Sequence, residues 1–206
     1  MKLIVLLALL CTVMYGDAQV HYALKAGGQI STARYIRDGN KISTNSIAGF
    51  NAGILAKVYF DDKVAFVTGL AYSARGYKVS TLPGDTVKTY HLNYVDIPLM
   101  IQVDFQQKAK GFYGKFGPAL GVGISGKEIY TGKNGQQIRN KAILSVTGNN
   151  FGLFDASLNA VLGYSFSNKF FAELGYAHGI GNIDNDPDGP NIKTRVLSLN
   201  LGYFFR

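Results

Sequence analysis

A glycine-rich segment near the middle of the chain matches two phosphate-binding motifs. Residues 121–127 read Gly-Val-Gly-Ile-Ser-Gly-Lys, which satisfies G-x-G-x-x-G and most of a phosphate-binding loop. Both motifs need a following helix whose N-terminal amides meet the phosphate, and the loop also needs Ser or Thr after the lysine. Here Glu128, Ile129 and Tyr130 follow the lysine. We therefore interpret the segment as a glycine-rich strand and predict no cofactor.

A group of aspartates near the C-terminus resembles the first half of a calcium loop. Asp184, Asp186 and Asp188 have the spacing of the first three ligands, and Gly189 follows them. A calcium loop takes a bidentate carboxylate at its twelfth position, where this chain has Arg195. The three aspartates are a calcium candidate with a missing ligand, and a solvated outer loop is the preferred interpretation. We predict no other metal site.

The chain has three histidines: His21, His91 and His178. Zinc commonly takes histidine ligands, but we expect His21 at the opposite rim of the molecule from the other two, which argues against a shared site. His91 with Asp85 or Asp96 and Ser80 offers the residue types for acyl transfer. Nothing in the sequence orders them as nucleophile, base and orienting group, so we assign no catalytic residue.

The elements that position these residues are predicted to be β-strands. Apolar and polar residues alternate with a period of two, which is the strand period. The clearest case sets Leu197, Leu199 and Leu201 against Ser198 and Asn200. Eight such segments begin near residues 22, 50, 66, 93, 115, 154, 170 and 197. The 25 glycines among 206 residues disfavour a helical bundle, and 13% aromatic residues exclude a disordered chain.

Connections between the segments alternate in length. Long polar stretches at 33–46, 80–89, 126–150 and 182–193 alternate with short ones at 61–63, 106–111 and 167–169. Short periplasmic turns, long outer loops and an even strand number are typical of outer-membrane barrels. We therefore predict an all-β, eight-stranded antiparallel up-and-down transmembrane β-barrel with both termini in the periplasm.

A soluble β-sandwich or lipocalin-like barrel has the same period of two but buries its apolar face. The polar face of this chain is small and glycine-rich, which suits the crowded inside of an eight-stranded barrel. The apolar faces end in Tyr and Phe, for example Phe50, Tyr72 and Phe205, as aromatic girdles do. Both features favour the membrane barrel, with its apolar face toward lipid.

In such a barrel, seven charged residues fall on the inward face. They are Lys25, Lys57, Arg75, Asp96, Lys115, Asp155 and Glu173. Buried charges persist when they are paired and hydrogen-bonded, so we predict a lumen ion-pair network that plugs the barrel. A proton or ion path through the network is the alternative.

Basic residues are concentrated in two of the predicted outer loops. They are Arg34, Arg37 and Lys41 in the first loop, which outnumber Asp38, and Lys127, Lys133, Arg139 and Lys141 in the third, which outnumber Glu128. Arg grips phosphate with two hydrogen bonds, and outer leaflets carry phosphorylated glycolipid, so we predict contact with lipopolysaccharide phosphates. A net charge of +8 would usually suggest nucleic acid, but an exported barrel excludes that partner.

The N-terminus has the composition of a secretory signal peptide. Lys2 precedes an apolar run at 3–10, and the small residues Gly16 and Ala18 follow. The run is too short for a transmembrane helix. We predict a signal peptide at 1–18 and a barrel domain at 19–206, with cleavage after Ala18 or Gln19. Cleavage removes Cys11, the only cysteine, so the exported chain forms no disulfide.

Residues 92–100, Leu-Asn-Tyr-Val-Asp-Ile-Pro-Leu-Met, resemble the fourth strand of the PorT-like outer-membrane β-barrel family of the Bacteroidetes. Supporting matches are Leu24–Gly27, Phe116–Pro118, Glu173–Tyr176 and the closing Leu201–Phe205. The resemblance spans roughly residues 20–206 and concerns the fold. It implies that a C-terminal aromatic residue is recognised by the barrel-assembly machinery, although here Arg206 follows Phe205.

Three functions fit these predictions. The first is a non-enzymatic outer-membrane barrel with a structural or interaction role, such as envelope integrity, adhesion or scaffolding of an envelope protein partner. The second is a small barrel enzyme acting on lipid or peptide at the outer rim. The third is a narrow solute pore, which a filled eight-stranded lumen disfavours.

Overall fold

The computed structural model describes residues 20–81, 86–106, 110–132, 134–146, 151–166 and 169–205. The predicted signal peptide, Lys133 and Arg206 lie outside these residues. The described residues form twelve strands: β1 Val20–Arg37, β2 Asn40–Ile42, β3 Thr44–Tyr59, β4 Val64–Thr81, β5 Thr86–Asp104, β6 Gly111–Thr131, β7 Gln137–Ala142, β8 Leu144–Ser145, β9 Phe151–Gly152, β10 Phe154–Ser165, β11 Phe170–Gly179 and β12 Asn191–Phe205. Within this part of the chain, no helix is long and apolar enough to cross a membrane.

Eight of these strands pair in a closed antiparallel ring. The order is β1-β3-β4-β5-β6-β10-β11-β12, and β12 pairs again with β1. Each ring strand therefore lies beside its neighbours in the chain, which is the up-and-down order. The predicted all-β, eight-stranded antiparallel barrel is confirmed. Ring closure leaves no open edge among these eight strands, which satisfies their backbone groups.

Successive side chains on each strand point alternately out of and into the ring, as a strand requires. On β5, Leu99 is 47% exposed and faces outward, whereas Met100 is 4% exposed and faces the lumen. Between its two ends the outward face of the barrel is apolar, with Leu24, Ile54, Leu70 and Leu199 among its exposed residues. The predicted assignment of faces is therefore correct.

The two ends of the barrel differ in their connections. The turn end carries Val20, Phe205 and the short β3–β4, β5–β6 and β10–β11 connections. The loop end carries the β1–β3, β4–β5, β6–β10 and β11–β12 connections. At the turn end, Phe60 N–H donates to Val64 C=O across the tight turn predicted at 61–63. The short turn predicted at 61–63 is thus observed, and the two longest connections, β6–β10 and β11–β12, lie at the loop end.

The loops at the loop end are shorter than predicted. β4, β5 and β6 have 18, 19 and 21 residues, about twice the length needed to cross a bilayer. Residues predicted as loop at 33–46 belong mostly to β1, β2 and β3. Asp38 and Gly39, both with positive φ, make a two-residue turn between the paired Arg37 and Asn40. The ladders continue because hydrogen bonding still satisfies backbone groups beyond the membrane.

Hydrophobic side chains close the inside of the barrel at both ends. The loop-end cluster contains Tyr77, Leu92, Tyr94, Ile183 and Ile192, all at most 2% exposed. The turn-end cluster contains Ala23, Leu55, Val67 and Phe171, with Phe204 packed against it. Ile183 belongs to the β11–β12 connection, which therefore enters the barrel mouth rather than standing in solvent as predicted. Its N–H donates to Ile192 C=O at 2.9 Å.

Candidate functional site

The centre of the lumen is organised around Arg75 on β4. Its Nη2 lies 2.9 Å from Oδ1 of Asp96 and 3.6 Å from Oδ2 of Asp155. The guanidinium also stacks 4.1 Å from the ring centroid of Tyr94, and Thr194 donates a hydrogen bond to Asp155 at 2.8 Å. Arg75 is 4% exposed and Asp155 1%. One buried cation therefore joins two carboxylates from β5 and β10.

A second polar cluster lies toward the turn end. Lys115 forms a buried ion pair with Glu173, and Tyr113 donates to the same carboxylate oxygen at 2.9 Å. Lys57 donates to the Tyr59 hydroxyl at 2.8 Å, and that hydroxyl donates to Asp104 at 2.8 Å. The ammonium of Lys57 also lies 4.6 Å from the ring centroids of Tyr59 and Phe204. Aromatic rings and acidic side chains thus both stabilise the charges of Lys57 and Lys115.

A small cavity of about 80 Å³ lies beside Arg75 and Asp96. Lys25, Gln29, Asn51, Ser157 and Asn200 are among its lining residues. Lys25 makes no ion pair within 4.0 Å in the described part of the chain, unlike Arg75 and Lys115. A cavity of this size and polarity suits a few water molecules.

The seven predicted lumen charges all face the inside, but they fall into separate groups. Arg75, Asp96 and Asp155 form one group, Lys115 and Glu173 another, while Lys57 pairs through a tyrosine. Asp104 was not among the predicted lumen charges, yet it faces inward and accepts hydrogen bonds from Tyr59 and Gln102. Asp104 lies eight residues after Asp96 on β5, so alternation places both side chains on the inward face and could have identified Asp104 from the sequence. With Asp104, four acids balance four cations in this part of the lumen.

The aspartates proposed for calcium do not gather around one point. The N–H of Asp186 donates to Oδ1 of Asp184 at 3.0 Å, and the N–H of Asp188 donates to Oδ1 of Asp186 at 3.1 Å. Burial in the mouth raises the pKa of Asp184 above its ordinary value. Within the described residues, no group of three His, Cys, Asp or Glu side chains is placed to hold a metal ion. The carboxylates of Asp184 and Asp186 instead accept hydrogen bonds from the loop backbone, and calcium binding here stays a prediction.

The residues considered for acyl transfer are also apart. His91 faces outward on β5, whereas Asp96 points into the lumen and pairs with Arg75. Asp85 lies outside the described residues. The glycine-rich segment at 121–127 lies within β6, as interpreted, and no helix follows it. A Cβ at Gly121 would overlap the Arg75–Asp96 pair, so this glycine makes room for the ion pair.

The basic residues proposed for phosphate contact lie on strands rather than in loops. Arg34 is on β1, Lys127 on β6 and Arg139 on β7, and all three are exposed. Arg37 occupies the tip of β1 and lies 4.0 Å from Asp38. The strands extend further than predicted, so these side chains have fixed directions relative to the barrel.

A comparison with family models supports the barrel. A family model described as "Outer membrane protein beta-barrel domain" matches residues 17–185. No curated protein sequence matches the chain.

Among solved structures, the chain is similar to Ail, the attachment invasion locus protein of Yersinia pestis, in complex with the heparin analogue sucrose octasulfate. That match has 17% identity and a TM-score of 0.49, and covers 91% of this chain and 99% of that one. For Neisserial surface protein A, identity is 14%, the TM-score 0.45, and coverage 89% and 99%. For OprG from Pseudomonas aeruginosa, identity is 12%, the TM-score 0.47, and coverage 93% and 98%. Identities and TM-scores this low assign no function to the chain.

Proposed function

The chain belongs to the outer membrane protein beta-barrel domain family, and from this we propose a closed, non-enzymatic outer-membrane barrel with a structural or interaction role. In this proposal an N-terminal signal peptide directs export, the barrel-assembly machinery inserts the chain, and both termini are periplasmic. The loop end then faces the exterior. There it meets outer-leaflet lipid, including lipopolysaccharide, and an envelope protein partner. No cofactor is required.

The observation that carries this proposal is the blocked lumen. Tyr77, Tyr94 and Ile183 fill the loop end, and Phe171 fills the turn end, each at most 1% exposed. Between them, Arg75 crosses the lumen to acids on two other strands. A solute entering from either end would have to displace packed rings and then break buried ion pairs, which is costly. This arrangement supports a surface role over a solute pore.

The strands beyond the ring support an interaction role. β7 pairs with β6 and continues the sheet past the barrel, and five of its six residues are exposed. Ile138 and Ile143 are 64% and 57% exposed at this end. An exposed sheet that projects from the barrel and carries apolar side chains is available to contact another molecule, which supports the interaction role.

Planar-bilayer recording of the purified full chain tests the closed barrel. We expect no steady conductance above that of the membrane alone, with a known porin as the positive control in the same membranes. Steady, large conductance from the unmodified protein would contradict the proposal. Co-purification of the tagged protein from native outer membrane then separates a barrel with stable protein partners from a solitary one.

A further inference from the structure

Charges on the strands are segregated between the two faces of the barrel wall. Within the described strands, every acidic residue points inward: Asp96, Asp104, Glu128, Asp155 and Glu173. The outward-facing charged residues are all cations, and all lie toward the loop end. They are Arg34, Lys41, Lys78, Lys127, Arg139, Lys141, Lys193 and Arg195. The outer wall at this end therefore has no strand acid to neutralise it.

Two of these cations face each other across β6 and β7. Lys127 is directly opposite Lys141, and His91 is opposite Lys127 on the other side. In the adjacent row, Leu92, Gly126 and Ala142 face the inside of the barrel and are buried beside the loop-end cluster. Because successive residues alternate, the row of His91, Lys127 and Lys141 must face outward. All three are exposed.

A second pair of cations faces outward across β1 and β12. Arg34 on β1 is directly opposite Lys193 on β12. Two residues closer to the membrane centre on β12, Arg195 also faces outward and is opposite His178 on β11. Going round the ring, β10 and β11 separate the Arg34–Lys193 pair from β6. Like charges directly opposite each other destabilise a sheet. None of these cations has an ion-pair partner in the described part of the chain.

Both pairs lie on the loop-end side of the exposed apolar band. Arg34 lies four residues beyond Ile30, and Lys193 four residues beyond Leu197, which are the last large apolar side chains exposed on the outward faces of their strands. On β5, His91 lies four residues beyond Val95. Four residues span about 13 Å along a strand, or about 10 Å along the membrane normal at the usual tilt. Long basic side chains at this height reach the headgroup layer.

We propose that the Lys127–Lys141 and Arg34–Lys193 pairs each bind a phosphate group of phosphorylated glycolipid in the outer leaflet. An anion between the two members of a pair replaces their repulsion with two attractive contacts. Arg34 offers a bidentate grip, and the lysines act as point charges. The inference rests on the proposed outer-membrane location with the loop end outside, and it names the lipid chemistry that this end recognises.

Binding of lipopolysaccharide to the full chain in zwitterionic detergent micelles tests the proposal. The variants are Lys127→Gln with Lys141→Gln, and Arg34→Gln with Lys193→Gln. The matched control is Lys63→Gln with Lys110→Gln, which removes the same charge at the turn end. Each cation near an anionic lipid contributes about fivefold, so each loop-end double variant is expected to bind about 25-fold more weakly. The control is expected to bind like the unmodified protein, and dephosphorylated lipopolysaccharide is expected to abolish the differences.

Stability supplies an independent readout. Without lipopolysaccharide, each loop-end double variant is expected to unfold at a higher urea concentration than the unmodified protein, because repulsion is removed. With lipopolysaccharide the order is expected to reverse. Unchanged binding in the loop-end variants, or an equal loss in the control, would overturn the inference. Conductance of the same samples tests the closed barrel separately, so the two proposals fail by different results.

Discussion

At the scale of single residues, Arg75 connects three parts of the barrel wall. It pairs with Asp96 on β5 and Asp155 on β10, while its guanidinium stacks on Tyr94. Two carboxylates, buried Asp155 and partly buried Asp96, depend on this one cation for neutralisation. Lys25 faces the neighbouring cavity and makes no ion pair within 4.0 Å in the described chain. Removal of Arg75 therefore leaves two carboxylates without their counter-ion, whereas removal of Lys25 breaks no such pair in the described chain.

Arg75→Met is expected to lower the free energy of unfolding by about 3–5 kcal/mol, because it leaves buried carboxylates uncompensated. Lys25→Met removes a lumen cation of similar length and is expected to cost much less. Urea unfolding in lipid vesicles measures both variants. An equal loss for Lys25→Met would show that the total lumen charge, and not the Arg75 contacts, determines stability.

Leu99 and Met100 provide a residue-scale comparison of the two faces. Leu99→Arg places a charge against lipid near the middle of the apolar band and is expected to cost about 2–4 kcal/mol. Met100→Arg adds the same side chain to the lumen, beside the polar cavity that Met100 lines. We expect the smaller loss of stability for Met100→Arg, because its cost comes from crowding in the lumen rather than from desolvation of the charge. Heat-modifiable gel migration and urea unfolding in vesicles compare the two, and greater damage from Met100→Arg would contradict the assignment of faces.

At the scale of elements, close approach of inward side chains decides which strand positions must be glycine. The buried ring of Phe171 on β11 fills the space in front of Gly202 on β12, where a Cβ would overlap it. Gly28 on β1 faces outward, and nothing lies within 4 Å of the position of its Cβ. Both are strand glycines of similar appearance in the sequence. Alternation already places them on opposite faces, and the packing of β11 against β12 shows that Gly202 has no room for a Cβ.

Gly202→Val is expected to destabilise the barrel by about 1–3 kcal/mol, because it over-packs the turn-end cluster. Gly28→Val adds an apolar, β-branched side chain toward lipid and is expected to leave stability unchanged or raise it. The fraction of heat-modifiable protein after refolding, with its urea midpoint, is the measurement. Equal tolerance of both substitutions would mean that Phe171 does not occupy the lumen beside β12.

At the scale of the whole molecule, the barrel is asymmetric along its axis. The turn end is short, while the loop end carries β7 and extended β4, β5 and β6. Outward cations on the strands cluster at the loop end, and acids on the strands face inward. This asymmetry suits a membrane whose two faces differ, and it motivates the proposed orientation with the termini in the periplasm.

Trypsin added to intact cells tests that orientation. Arg139 and Lys141 on the exposed β7 are expected to be cut, since β7 lies outside the closed ring. Lys63 in the β3–β4 turn is expected to be cut only after the outer membrane is permeabilised. Mass spectrometry of the fragments identifies the sites. Cleavage at Lys63 in intact cells, with a periplasmic marker protected, would mean that the barrel is inverted or not inserted.

The sequence by itself determined the barrel and the direction of each strand face. A period of two needs no tertiary information, because backbone geometry forces successive side chains to opposite faces. Leu99 and Met100 are neighbours on one strand, so placing Leu99 toward lipid also places Met100 toward the lumen. The inward placement of Lys25, Arg75 and Glu173 follows from the same rule. The same alternation places Asp104 on the inward face, although Asp104 was not among the predicted lumen charges.

Only the tertiary structure decided which inward residues meet and where the strands end. Partners are set by cross-strand register, so Arg75 reaches Asp155 on a strand about 80 residues away, which no local pattern encodes. Residues beyond the membrane keep the strand ladder because pairing still satisfies their backbone, and a polar sequence does not reveal that. The opposed Lys127 and Lys141 likewise depend on the β6–β7 register. Alternation is a local property of one strand, whereas contacts and charge pairs depend on the closure of the whole ring.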